Sequence, residues 1–65
     1  MIIYAKVGTF PGDRLVVRDK PNQLVAGTKL YVKSETDSRL FRWTECIVDK
    51  VDRVFDEPLF FLSIV

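Results

Sequence analysis

"RLFRWTECIVDKVDRVF", residues 39–55, can fold in two ways, and the choice between them sets the fold. On a helical wheel at about 100° per residue, Leu40, Trp43, Ile47, Val51 and Val54 share one face, with Arg42, Glu45, Asp49, Asp52 and Arg53 opposite. Asp37 or Ser38 could cap such a helix, and Pro58 would stop it. Composition argues the other way. Thr44, Ile47, Val48, Val51 and Val54 are β-branched and Phe41, Trp43 and Phe55 are aromatic. Such side chains lose rotamer freedom in a helix and pack well on a pleated surface. In an extended chain Phe41, Trp43, Ile47 and Val51 line one face, interrupted by Glu45 and Asp49. Periodicity favours the helix and composition the strand.

The flanking sequence decides for the strand. "IIYAKV" (2–7), "RLVVRD" (14–19) and "KLYVKS" (29–34) read as strands, separated by "FPGD" (10–13), "KPNQ" (20–23) and a break at Gly27. Pro11 and Gly12 suit the two central positions of a type II turn, which takes a fixed negative φ and then a positive one. Short connections between strands imply an antiparallel meander, because parallel neighbours need long crossovers. "YVKSETDSRLF" (31–41) reads as a hairpin around a polar turn, and "DEP" (56–58) as a stop before a last strand, "LFFLSIV" (59–65). That strand carries Leu59 and Phe61 on one face and Phe60, Leu62 and Ile64 on the other, so it wants cover on both sides. A barrel can provide that cover, whereas one helix on a sheet leaves a face wet.

The expected fold is therefore mainly β, a small five-stranded antiparallel sheet or SH3-like barrel. Strands are expected near 2–8, 14–19, 28–34, 39–49 and 59–65. The alternative is α+β, a four-stranded antiparallel sheet with one helix at about 38–55. The expected core is Ile3, Val7, Val16, Leu30, Val32, Trp43, Cys46, Val48, Phe61 and Ile64. "GTKLYVKSE" (27–35) followed by "RWTECIVDKV" (42–51) and a final apolar strand resembles small SH3-like barrels of the tudor kind. The resemblance covers the chain from Gly27 onward and implies a fold, with little about function. Tyr31, Phe41 and Trp43 are too few for the aromatic cage that binds methylated side chains.

Sixty-five residues make one domain, 1–65, with a small core. Chains this small usually need a disulfide, a metal, a partner or very tight packing. Cys46 is the only cysteine and there is no histidine, so a disulfide and an intramolecular zinc site are both excluded. "MIIYAKVGTF" lacks the basic start and small-residue cleavage site of a signal peptide, and no apolar run is long enough to span a membrane. With one free cysteine, a cytoplasmic setting is expected and no membrane partner.

Without histidine, neither a Ser–His nor a Cys–His nucleophile can be assembled. Cys46 between Glu45 and Ile47 has neighbours that deactivate a thiol. The acids at 49, 52, 56 and 57 lack the spacing of a calcium loop, and "PGD" is no phosphate loop. No enzyme and no cofactor are expected.

The functional expectation is a non-enzymatic protein-interaction module. Stand-alone chains of this size are common among phage and mobile-element accessory proteins that bind and modulate a host protein, an expectation resting on size alone. A second expectation is a small barrel binding single-stranded nucleic acid through Phe41, Arg42 and Trp43, with Arg39 and Lys33 alongside. The plainer account of those residues makes Phe41 and Trp43 core anchors and the cations solvated. A near-neutral pI of 7.9 also falls short of a dedicated nucleic-acid binder. A third is a homo-oligomeric structural subunit. Self-association, at least as a dimer, is expected because "MIIYAKV" and "LFFLSIV" carry more apolar surface than so small a domain covers.

Charge is unevenly distributed. Residues 1–42 hold eight Lys/Arg against four acids, net +4, and residues 43–65 hold two against five, net −3. Solvated charge of both signs explains this; a bipolar surface facing an acidic partner is the sharper reading.

Overall fold

The computed structural model describes residues 1–8, 11–19 and 21–65. Five strands follow in chain order: β1 (Ile2–Val7), β2 (Asp13–Val17), β3 (Lys29–Lys33), β4 (Thr44–Val54) and β5 (Glu57–Ile64). Each pairs antiparallel with the next, and β1 pairs with β5, so the sheet closes into a barrel. In a five-strand meander the first and last strands run the same way, so the closing pair must be parallel. It matches Ala5 with Phe60, Lys6 with Phe61 and Val7 with Leu62.

Residues 39–55 form neither a continuous helix nor a strand beginning at 39. Ser38–Leu40 make a single 3-10 turn capped by Asp37, whose side chain accepts from the Arg39 N–H at 3.0 Å. β4 starts at Thr44 and runs past 49 to Val54. Its eleven residues would extend roughly 33 Å, more than the 28 Å long axis of the molecule. The strand has to curl, and its register shifts at a bulge between Val48 and Lys50. Cys46 and Val48 point into the core. Beyond the bulge the phase changes, and Val51 stands opposite the buried Phe60. Ile47 and Val51, which plain alternation puts together, fall on different sides. A buried turn residue, a strand and a bulge in succession thus imitate a helical period.

The "DEP" stop is also corrected. Val54 pairs with Glu57, leaving Phe55 and Asp56 as a two-residue turn with φ of 52° and 66°. Two positive φ values define the primed turn that fits the twist of a hairpin. Pro58 lies inside β5, opposite Arg53. One residue from the turn's closing pair, its missing N–H falls on the edge facing away from β4.

The turn at residues 10–13 begins on Phe10, outside the described residues, and Gly12 does not take the positive φ of a type II turn. Gly12 is needed for space: a Cβ there would lie 2.9 Å from the Tyr4 ring. Gly27 does use glycine's freedom. Its φ is +93° at the third position of a turn closed by Thr28 N–H to Val25 C=O, 3.0 Å.

The core comprises Ile3, Ala5, Val7, Leu15, Val17, Leu30, Val32, Leu40, Cys46, Val48, Phe60 and Leu62. Four expected core residues lie elsewhere. Val16 is 42% exposed, because the β1–β2 register sets Leu15 against Ile3 on the inside and Val16 against Ile2 on the outside. Phe61 and Ile64 could not both point inward from one strand. Phe60 and Leu62 do so, while Ile64 is exposed near the end of β5. Phe61 is half-buried on the outer face beneath the Lys50 and Lys6 ammonium groups, 4.5 and 6.0 Å from its ring. Trp43 is 38% exposed, and Leu40 takes the core position expected of it.

The β3–β4 connection is tied down by polar contacts. Ser34 Oγ accepts from the N–H groups of Thr36 (3.1 Å) and Asp37 (3.0 Å) and donates to Asp13 Oδ2 at 3.2 Å. Thr36 Oγ1 also donates to Asp13. Arg39 grips the Asp37 carboxylate through Nε and Nη2 (3.1 and 2.7 Å), and Nη2 also donates to the Val7 carbonyl at 2.9 Å. The Thr36 hydroxyl, with the Arg14 N–H and Ser34, holds the Asp13 carboxyl below its usual range of 3.8. The Arg39 guanidinium does the same for Asp37. A depressed carboxyl pKa contributes stability above the unfolded value and loses it as pH falls through the folded one. The melting temperature should therefore fall as pH drops below about 4, and Thr36→Val should flatten that acid limb. Melts between about pH 5 and pH 2 check this; equal acid sensitivity in the two proteins would contradict it.

Candidate functional site

Two surfaces differ from ordinary solvated sheet, and they lie at opposite ends of β4. The first surrounds its start. Arg18 pairs across to Tyr31, its N–H donating to the Tyr31 carbonyl at 2.9 Å. Its guanidinium covers the Tyr31 ring at 4.0 Å. In the next cross-strand row Val16 faces Lys33, and the Val32–Thr44 pairing sets Lys33 opposite Trp43. Lys33 Nζ lies 4.9 Å from the Trp43 ring, and Arg42 is 5.3 Å from the Phe41 ring. Phe41 is 64% exposed. Thr44 Oγ1 donates to the Arg42 carbonyl at 2.8 Å and fixes the backbone between the two aromatics.

Of the candidates taken from the sequence, Lys33, Phe41, Arg42 and Trp43 are thus assembled on the outside. Phe41 and Trp43 are not core anchors. Arg39 is next to them in sequence, yet its guanidinium serves the Asp37 carboxylate and the end of β1.

The second surface is the outer part of the β4–β5 hairpin, where every residue from Asp49 to Pro58 is exposed. Val51 and Val54 lie on its arm and Phe55, 97% exposed, at its apex. Asp49, Asp52, Asp56 and Glu57 against Lys50 and Arg53 give this segment a charge of −2. Sequence reasoning missed Phe55, because no Asn-Gly or Asp-Gly pair marks the turn.

Beside the hairpin the barrel is open. β1 and β5 pair only over residues 5–7 and 60–62, and below that they part. The cleft between them, about 720 Å³, is lined by Ile2, Ile3, Leu24 and Phe60, with Arg14 and Glu57 also contributing. A smaller cleft of about 440 Å³ lies between Tyr4 and the hairpin residues Val54, Phe55 and Leu59.

Burial pushes the Cys46 thiol up to about 11, so it stays protonated and sheltered at neutral pH. Among the described residues no helix is long and apolar enough to cross a membrane. No family model matches the chain, and neither the curated proteins nor the solved structures contain a match.

Proposed function

We propose that this chain is a non-enzymatic protein-interaction module that docks through its β4–β5 hairpin. One observation carries the reading: Phe55 stands 97% exposed at the apex, in a backbone conformation that disfavours bulky side chains. A turn shaped by stability alone would place Asn-Gly there and keep the ring out of water. An aromatic held clear of its own fold is the kind of anchor that fills a pocket on a partner.

A second copy of the chain is the first partner to test. The apolar tip and its acids on one copy complement the open apolar cleft, with Arg14 beside it, on another. Sedimentation equilibrium over about a hundredfold range of concentration is expected to show a mass rising from 7.5 kDa towards a dimer. Phe55→Ser should hold it at the monomer. A wild-type mass fixed at the monomer would remove self-association and leave the hairpin to another protein. Capture of the same proteins from an extract by wild type and Phe55→Ser would remove the hairpin reading itself.

A cytoplasmic setting goes with this reading, since the lone buried Cys46 needs no oxidising compartment. An accessory role, binding and modulating a host protein in the manner of phage or mobile-element chains, is attached to it on size alone.

A further inference from the structure

The surface at the start of β4 differs in kind from the hairpin. Three aromatic rings, Tyr31, Phe41 and Trp43, each have a cation against them: Arg18, Arg42 and Lys33. Tyr31 and Lys33 project from the same face of β3, roughly 6.6 Å apart along the strand, and Trp43 stands beside Lys33. β3 therefore fixes the spacing of Tyr31 and Lys33, while Phe41 and Trp43 lie in the short segment between the 3-10 turn and β4. Lys29 adds charge to the outer face of β3. Of the nearby acids, Asp19 is paired with Arg18 at 3.3 Å, and Glu45 stands opposite Tyr31. The acidic hairpin tip is at the far end of β4.

We propose that this aromatic–cationic face binds single-stranded nucleic acid, with bases stacking on Trp43 and Phe41 and phosphates held by Lys33, Arg42 and Arg18. The chemistry selects this ligand over an apolar protein surface. Three rings and their cations gathered on one face match a nucleic-acid strand, which presents π-faces and negative charge in alternation. It selects a single strand over a duplex because stacked, paired bases offer no free face, and the described residues present no α-helix to enter a groove. Binding should be tolerant of sequence. The chain's only Asn and Gln, Asn22 and Gln23, are in the β2–β3 connection, away from the strands that carry this face. RNA and DNA share the chemistry used, and the experiment separates them.

Trp43 is the only tryptophan, so its fluorescence reports on this face alone. Titration with oligo(dT) and oligo(rU) at low salt should quench it. The log–log salt slope should be about −2, as expected for three phosphates on a single strand. Anisotropy of a labelled oligonucleotide then tests the variants, after circular dichroism confirms that each is folded. Trp43→Leu should weaken binding about tenfold or more. Lys33→Ala with Arg42→Ala should weaken it and flatten the salt slope, and Phe55→Ser should leave it unchanged. A preference for either oligonucleotide assigns the sugar. Absence of quenching at low salt would overturn the proposal. So would equal binding by Trp43→Leu, equal quenching by polyglutamate, or equal affinity for a duplex of the same length. None of these outcomes bears on docking through Phe55.

Discussion

Leu40→Ala is expected to destabilise the barrel by about 2–5 kcal/mol, and the variant should be largely unfolded near body temperature. Leu40 is completely buried, and it reaches the core from a 3-10 turn and not from the sheet. A domain of this length has a stability of only about 3–10 kcal/mol, so the loss is comparable to the whole. The Ser34–Leu40 hydrogen bond at 2.8 Å and the Arg39 bridge to Val7 hold the turn in place, and both depend on Leu40 being seated. Its neighbour provides the control. Phe41→Ala, at a surface position, should change stability by no more than about 0.5 kcal/mol. Urea unfolding of the three proteins measures both effects. Similar losses in the two variants would place Phe41 in the core and refute the arrangement described.

That pair also shows where the sequence could be read and where it could not. The strand composition of 44–54 and the apolar runs at 2–7 and 29–33 led to a five-stranded β fold. Register was legible where one face is plainly polar: in β3, Lys29 and Lys33 point out and Leu30 and Val32 point in. It failed in "LVV" and "LFFL", where neighbouring residues are apolar and a slip of one residue changes every assignment. Lys6 and Lys50 were the signal for β5, since both cover Phe61. Leu40 is missing from the expected core because the 3-10 turn that buries it has only Asp37 to announce it. The cluster of Lys33, Arg42, Phe41 and Trp43 could be read from side-chain type. The hairpin tip could not, because Phe55-Asp56 violates the usual chemistry of its own turn.

The violation leads to the second large effect. Replacing Phe55-Asp56 by Asn-Gly should stabilise the protein by about 1–2 kcal/mol, because both positions have positive φ and L-residues pay for that conformation. For a domain of this size the gain corresponds to a rise in melting temperature of roughly 5–15 °C. Almost no burial is lost, since the Phe55 ring is already in water. Stability and docking should therefore move in opposite directions, the behaviour expected of residues kept for binding. A melting temperature equal to or below wild type would mean that the ring supports the fold after all.

The same variant gives the most direct test of docking through the hairpin, because any loss of binding cannot be put down to unfolding. Immobilised wild type and F55N/D56G are compared for the proteins each retains from an extract of the encoding organism, with Arg42→Ala as a third bait. The expected result is a protein, or the chain itself, held by wild type and Arg42→Ala and released by the more stable F55N/D56G. Retention of the same proteins by wild type and F55N/D56G would contradict the account.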